Sequence, residues 1–198
     1  MSYRKEKKFR LSKCDMDVLK EKLTLQGMQP LFPGRLISSI YFDNHAGDMF
    51  HDSEEGVFPR KKVRVRWYNN QSDFTEEIKI SSFEGRFKTT KRLEKTHPRN
   101  KHFFTNYIDP DYGLLKPVIK ISYNRSYYEL QKLRVTFDTS ITYQDLNVLE
   151  KGVFSDPENV VEIKTPMQCG DDYIQSILGN PTERFSKYCR GILSINAI

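Results

Sequence analysis

The stretch Val63-Arg64-Val65-Arg66-Trp67 decides the fold, because charged and apolar side chains alternate along it. Successive side chains of an extended strand point to opposite faces, so Arg64 and Arg66 share one face. The other face carries Val63, Val65 and Trp67. The pattern predicts a β-strand with one charged and one apolar face.

The same alternation occurs in further segments along the chain. Their charged positions are Arg4, Glu6, Lys8 and Arg10, then Glu77 and Lys79, Arg134 and Asp138, and Glu162 and Lys164. An ordinary half-exposed sheet also turns charged residues to solvent. Repeated Arg and Lys with an isolated Glu, recurring on so many strands, instead favours a surface that holds a multiply anionic ligand.

The remaining segments predict a mostly antiparallel protein with a few helices. Ser12 or Asp15 can cap a helix that ends at Gly27. Three extended runs separated by Asn69-Asn70 and Glu84-Gly85 predict a meander. The other predicted strands are Leu36 to Asp43, Lys116 to Leu130 and Arg134 to Thr142, and the other predicted helices are Asn100 to Ile108, Asp172 to Leu178 and Glu183 to Leu193.

Length and composition limit the possible classes of protein. The 198 residues fit a single domain over 1–198, and the net charge of +6 favours an anionic partner. Cys14, Cys169 and Cys189 form no C-x-x-C pair, so neither a disulfide framework nor a zinc site is expected. No segment has the length of a membrane span, and the charged start differs from a signal peptide. We therefore expect a soluble, cytoplasmic protein.

The distribution of basic residues argues against nucleic acid as the partner. They lie at alternating positions on many strands, whereas nucleic-acid binders usually cluster them on one helix or loop. Antiparallel strands of this kind can close into a barrel with a charged lumen and helices outside. Unpaired cations in such a lumen cost several kcal/mol each. The excess of Arg and Lys over acids therefore predicts a lumen that binds phosphates.

A series of short motifs follows this pattern along nearly the whole chain. They are Arg4-x-Glu6-x-Lys8, Tyr41-Phe42-Asp43, Arg64-x-Arg66, Glu77-x-Lys79, Lys91, Tyr123-x-Arg125, Glu162-x-Lys164 and Arg184-Phe185-Ser186-Lys187-Tyr188. In this order they resemble the VTC domain. That is the catalytic domain of the vacuolar transporter chaperone polyphosphate polymerase, a branch of the triphosphate tunnel metalloenzymes.

The resemblance implies an α+β fold and a specific reaction. The fold would be an eight-stranded antiparallel closed β-barrel, the triphosphate tunnel, with helices packed outside and a C-terminal helix over one tunnel end. The reaction would transfer the γ-phosphate of ATP, or of another nucleoside triphosphate, to a growing polyphosphate chain, with Mn²⁺ or Mg²⁺ as cofactor. Pyrophosphate or polyphosphate would be the acceptor. A stand-alone domain is expected, and a membrane partner protein stays open.

The resemblance also assigns residues to roles. The basic phosphate ligands it implies are Lys8, Arg64, Arg66, Lys79, Lys91, Arg125 and Lys187. The hydroxyl donors are Tyr123 and Ser186, and the metal-binding carboxylate is Glu162. Arg184 stands where the family motif often has Lys and is expected to bind substrate. The charged strand faces themselves add Glu6, Arg134 and Lys164 as further substrate-binding residues.

Two alternatives stay open at this stage. One is a metal-dependent inorganic or organic triphosphatase of the same fold, which must activate water and therefore needs more carboxylate. Such relatives open with Glu-x-Glu-x-Lys, whereas this chain has Arg4 at the first position, which favours transfer over hydrolysis. The other alternative is a non-catalytic polyphosphate-binding module, which would not need Glu162. Trp67 and Tyr127 could stack on adenine, but large aromatic residues on strands are more often core.

Overall fold

The computed structural model describes residues 4–69, 73–93, 106–147, 152–166, 173–174, 176 and 185–196. Its strands are β1 (Arg4–Leu11), β2 (Gln29–Asp43), β3 (Arg60–Tyr68), β4 (Phe74–Ser82), β5 (Gly85–Leu93), β6 (Tyr107–Asp109), β7 (Gly113–Leu130), β8 (Leu133–Asp145), β9 (Val153–Ser155) and β10 (Asn159–Pro166). Its helices are α1 (Lys13–Leu25), α2 (Asp48–Glu55) and α3 (Lys187–Asn196).

The strands form one sheet in the order β1-β10-β8-β7-β2-β3-β4-β5, with β6 beside β7 and β9 beside β8. The predicted antiparallel sheet is confirmed, but the predicted closed barrel is wrong. Within the described residues β1 and β5 stand at the two ends of an open path. Closure requires every strand to have two neighbours. β5 carries Arg86, Lys88, Lys91 and Arg92, and such a charged edge discourages further strand pairing.

The described residues divide into two compact units. The first contains Met1–Leu36, Tyr123–Ile141 and Ser155–Phe185. Its core is formed by α1 and the apolar faces of β1, β8 and β10, and it includes Phe9, Leu23 and Phe137. The single-domain expectation for the whole chain stays a prediction.

Helix α1 lies where the sequence predicts it. Ser12 is the N-cap, and its Oγ accepts a hydrogen bond from the amide of Asp15 at 3.1 Å. Met16, Leu19 and Leu23 are buried in the core of the first unit. The spacing of these three residues, one turn apart, gives the helix its apolar side.

The second unit contains Ile37–Ser122, Thr142–Phe154 and Ser186–Ile198. The predicted meander is present as β3, β4 and β5, paired antiparallel. The hydrophobic core of the second unit lies on the face of β3 that carries Val63 and Val65, and it includes Phe42, Met49 and Leu115. Helix α2, which follows Gly47 with its φ of 73°, has no counterpart in the sequence predictions.

Other helix predictions have mixed outcomes. Tyr107 and Ile108 belong to strand β6, so the helix predicted to end at Ile108 is wrong there, and its start lies outside the described residues. Of the segment from Asp172 to Leu178, the described residues Tyr173, Ile174 and Ser176 are helical. The last helix begins at Lys187, later than predicted. Every helix in the described part of the chain is too short or too polar to cross a bilayer.

Candidate functional site

Charged residues of the first unit lie in rows across the sheet. Lys8 of β1 lies opposite Glu162 of β10. The next row along the strands contains Glu6, Lys164 and Arg134. Because residues two apart on a strand share a face, both rows lie on one face of the sheet. The apolar residues between them face the core, as the alternating sequence predicts.

Glu162 is the residue on which these charges converge. Lys164 Nζ lies 2.9 Å from its carboxylate, the guanidinium of Arg125 3.6 Å and Lys8 Nζ 3.8 Å. Burial alone would raise the pKa of Glu162, but the three cations hold it well below its usual value. Glu162 is therefore an ionised carboxylate at neutral pH. We call Glu6, Lys8, Arg125, Glu162 and Lys164 the Glu162 cluster.

The partners of Glu162 are charged as well. Lys8 Nζ lies 2.7 Å from Glu6 Oε1. Burial would lower the pKa of Lys8, but Glu162 and Glu6 raise it above its usual value. Burial would likewise raise the pKa of Glu6, and Lys8 lowers it below its usual value. Glu6, Lys8 and Glu162 are therefore charged at neutral pH, and the cluster presents charges of both signs.

Arg125 is held by a second carboxylate. Its Nε and Nη2 donate hydrogen bonds of 2.5 and 2.7 Å to the two oxygens of Asp138, which is completely buried. The guanidinium lies 5.3 Å from the ring centre of the buried Tyr123. Two parallel hydrogen bonds fix the orientation of an Arg side chain as well as its charge. Arg125 is therefore rigidly placed beside Glu162.

Glu6 and Glu162 are suited to share a divalent metal ion with a substrate. Both carboxylates contact the same two lysines, Lys8 and Lys164, so they lie close to each other. Mg²⁺ and similar ions typically take one or two carboxylates and complete their shell with phosphate oxygens and water. The described residues contain no group of three or more His, Cys, Asp or Glu side chains placed to hold a metal. The arrangement fits a substrate-shared metal.

A second set of charges lies in the second unit, around Glu77. Arg64 lies opposite Glu77 across β3 and β4, and its Nε and Nη2 both donate to Glu77 Oε2, the first at 2.7 Å. Lys88 Nζ donates to Oε1 at 2.5 Å. Arg66 Nη1 lies 3.8 Å from Oε2. Burial would raise the pKa of Glu77, but these cations hold it far below its usual value. We call Arg64, Arg66, Glu77 and Lys88 the Glu77 cluster.

The arginines of this cluster also contact hydroxyl groups of β2. Arg64 Nη1 donates to Tyr41 Oη at 2.7 Å, and Arg66 Nε donates to Ser39 Oγ at 3.2 Å. Burial alone would raise the pKa of Tyr41, but Arg64 and Arg66 lower it below its usual value. Both arginines are buried, so β2 and β4 together determine where the guanidinium groups point.

Helix α3 is attached to this face of β2 through Tyr188. The Tyr188 ring stacks on Tyr41, with ring centres 5.1 Å apart and planes 13° from parallel. Its hydroxyl donates to Asp43 Oδ2, which also accepts from the amide of Phe50 at 2.9 Å. Asp43 Oδ1 accepts from the amide of Met49 at 3.0 Å. Asp43 therefore joins the end of β2, the start of α2 and the start of α3.

The start of α3 carries two of the residues predicted to bind substrate. Ser186 Oγ accepts a hydrogen bond from Lys62 Nζ at 2.7 Å and another from the amide of Cys189 at 3.3 Å. The first contact places a basic side chain of β3 beside the helix. Lys187 is the first residue of α3 and is half-buried.

The predicted site residues fall into groups. Lys8, Arg125, Glu162, Lys164, Glu6 and Tyr123 come together in the first unit. Arg64 and Arg66 come together in the second, and Lys79 lies on their face, opposite Lys62 and Lys88. Lys91 does not join them, because it lies opposite Glu76 on the other face of the sheet. Arg184 lies outside the described residues.

Two lysines that form buried or half-buried ion pairs, Lys88 and Lys61, were not predicted as site residues. Lys88 could have been found by counting back from the Glu84-Gly85 turn, which pairs Ser82 with Gly85 and so Glu77 with Thr90. Lysine side chains mostly lie in solvent, and the sequence gives no role to Lys61 or to its neighbour Lys62. Lys61 is instead buried, and its Nζ donates to both carboxylate oxygens of Asp109 at 2.9 Å. Asp109 lies 48 residues from Lys61 in the sequence, so no local pattern predicts this ion pair.

Comparison with solved structures identifies the fold. The PH1012 protein of Pyrococcus horikoshii is similar with a TM-score of 0.58 and 15% identity, over 93% of this chain and 96% of that one. A Bacillus halodurans protein provisionally named an adenylate cyclase gives a TM-score of 0.60 and 16% identity, over 93% and 95%. HpAC1 of Hippeastrum, described as having a dominant triphosphatase activity, gives 0.54 and 16%, over 96% and 95%. These likenesses show that the protein shares the fold of these three structures.

The family follows from the sequence match. The model of the VTC domain matches residues 3–196, and this chain belongs to that family. No curated protein gives a significant match. Membership of the family confirms the resemblance drawn from the motifs between Arg4 and Tyr188.

Proposed function

We propose that this chain is a polyphosphate polymerase that transfers the γ-phosphate of ATP, or of another nucleoside triphosphate, to the end of a growing polyphosphate chain. The observation that carries the proposal is the Glu162 cluster, in which two ionised carboxylates and three cations share one face of the sheet. In phosphoryl transfer the protein mainly positions the reactants and neutralises charge on the transferring phosphate. The cluster has the residue types for both tasks.

Each of the two units, taken by itself, offers basic residues that would bind non-bridging phosphate oxygens. In the first unit these are Lys8, Arg125 and Lys164, with Arg134 in the next row. In the second unit they are Arg64, Arg66, Lys79 and Lys88. Arg forks make bidentate contacts with phosphate, whereas Lys acts as a point charge. Tyr123 and Ser186 would add hydroxyl donors, and Arg184 and Lys187 keep the roles that the family resemblance gives them. Lys91 lies on the other face of the sheet, so the role that the resemblance gives it stays a prediction.

Glu162, supported by Glu6, would hold a divalent ion, Mn²⁺ or Mg²⁺. When bound, such an ion withdraws charge from phosphate oxygens and helps to orient them. Lys8 and Lys164 contact both carboxylates and hold them ionised. Arg125 is oriented by Asp138, so it can approach a phosphate without losing its own position.

The transfer step needs no proton acceptor. A terminal oxygen of the acceptor chain attacks the γ-phosphorus, and a new P–O bond forms. The bond from the γ-phosphorus to its bridging oxygen breaks, and its electron pair leaves with the nucleoside diphosphate. The attacking oxygen is already ionised at neutral pH. By contrast, hydrolysis benefits from a base, and carboxylates with lowered pKa such as Glu6, Glu77 and Glu162 are weak bases.

Incubation of the purified chain with ATP and Mn²⁺ tests the proposal, with long polyphosphate resolved from free phosphate over time. We expect polymer to accumulate together with nucleoside diphosphate. Free phosphate alone would assign the chain to the triphosphatase alternative. If neither polymer nor free phosphate formed but the chain bound polyphosphate, the protein would be a non-catalytic binding module. A membrane partner and a cytoplasmic location stay predictions from the sequence.

A further inference from the structure

A group of aromatic and arginine side chains lies beside the Glu162 cluster in the first unit. The rings of Phe32 and Tyr127 meet edge to face, with centres 6.0 Å apart. The guanidinium of Arg134 lies 5.7 Å from the Phe32 ring and 5.4 Å from the Tyr127 ring. Arg35 lies 5.9 Å from the Tyr127 ring. We call these four residues the aromatic-arginine cluster.

Phe32 lies outside the hydrophobic core of its unit, whereas Tyr127 is buried. The Phe32 side chain is 48% exposed, although it is large and apolar and lies within strand β2. Arg134 Nε is buried and makes no hydrogen bond within the described residues. A buried donor without a partner costs stability. A ligand that covers the Phe32 ring and approaches Arg134 would account for both features.

The position of the cluster relates it to the proposed phosphate site. Arg134 lies opposite Lys164, and Lys164 Nζ is 2.9 Å from Glu162. Two residues along a strand cover about 7 Å, so Arg134 is one row away from Glu162 on the same face. A nucleotide whose phosphates bind the lysines around Glu162 can therefore reach Phe32 with its base.

We propose that Phe32 is a stacking platform for the base of the nucleoside triphosphate, with Arg134 and Tyr127 holding the ring in place. This inference rests on the proposed function, because it assumes that the triphosphate binds at the Glu162 cluster. Any base presents a flat face to an aromatic ring, and a stacking contact tolerates different bases. The site would therefore distinguish a nucleoside triphosphate from inorganic triphosphate, and would discriminate little between bases.

Binding of two ligands to a few variants tests this assignment. ATP and inorganic tripolyphosphate would be titrated, with Mn²⁺ and at one salt concentration, into the full chain and into Phe32→Ala, Phe32→Trp and Phe83→Ala. Phe83 is the matched control because it is an exposed phenylalanine, 88% accessible, in the turn between β4 and β5. Circular dichroism would verify that each variant is folded.

We expect Phe32→Ala to weaken ATP binding about tenfold and tripolyphosphate binding less than about twofold, as for the loss of one stacking contact. Phe32→Trp should retain ATP affinity, and Phe83→Ala should leave both ligands unaffected. Equal weakening of both ligands by Phe32→Ala, or no weakening of either, would overturn the stacking assignment alone. If the unmodified chain bound neither ligand, the proposed function would fall together with this inference.

Discussion

Tyr188, the second residue of α3, donates a 2.5 Å hydrogen bond to the buried carboxylate of Asp43 at the end of β2. The same ring stacks on Tyr41, which accepts a hydrogen bond from Arg64. A single side chain thus connects the C-terminal helix with an arginine of the Glu77 cluster. The arrangement places the start of α3, with Ser186 and Lys187, at a defined position relative to β2.

We predict that Tyr188→Phe lowers the free energy of unfolding at pH 7 by about 1–3 kcal/mol, because a buried carboxylate loses a donor while the stacked ring remains. Burial already raises the pKa of Asp43, despite the hydrogen bonds from Tyr188 and the helix amides. The loss should shrink as pH falls toward the pKa of Asp43, because the protonated carboxyl needs the donor less. Urea unfolding at several pH values measures both effects. Tyr173→Phe, at a more exposed hydroxyl, serves as the control.

The lowered pKa of Glu77 predicts how the stability of the protein depends on pH. The pKa of this carboxyl in the folded protein lies far below the ordinary value of 4.5. The stabilisation from Arg64, Arg66 and Lys88 is therefore complete above pH 4.5 and is lost as the pH falls below that value. Glu77→Gln should be less stable at pH 7 and should lose less stability between pH 5 and pH 2. An unchanged acid dependence, compared with Glu84→Gln in the exposed β4–β5 turn, would contradict this role.

Lys88 and Lys91 of β5 distinguish the phosphate ligand that the strand faces suggest from the one that the family motif implies. Lys88 shares a face with Arg64 and contacts Glu77, whereas Lys91 lies opposite Glu76 on the other face. We expect Lys88→Ala to weaken tripolyphosphate binding several-fold, and more strongly at low salt, since a charge-assisted contact is lost. Lys91→Ala should have a smaller effect. The reverse order would show that the role implied by the family motif is correct and that the face assignment is not.

The alternating strands allowed much of this fold to be predicted, because a period of two is a local signal. Arg64, Glu77 and Glu162 were placed on the charged face by that rule alone. Lys88 was missed because the predicted Glu84-Gly85 turn was not used to set the register of β4 and β5. The partners of Asp43 and Lys61 come from distant segments, and the periodicity of a single strand does not predict such contacts. Closure of the sheet depends on whether its two edge strands pair with each other, and the pattern of any one strand does not predict this pairing.

Glu162→Gln separates a catalytic protein from one that only binds phosphate. The substitution keeps the size of the side chain but removes the charge that a divalent ion requires. Lys8, Lys164 and Arg125 would still attract polyphosphate, so binding should persist, while turnover with ATP and Mn²⁺ should fall by about 100-fold or more. Glu158→Gln is the matched control, because Glu158 pairs with Arg10 at 3.0 Å beyond the Glu162 cluster. Turnover near that of the unmodified chain would show that Glu162 does not hold the metal, and parallel loss of polyphosphate binding would show that Glu162 is needed for binding and not for turnover alone.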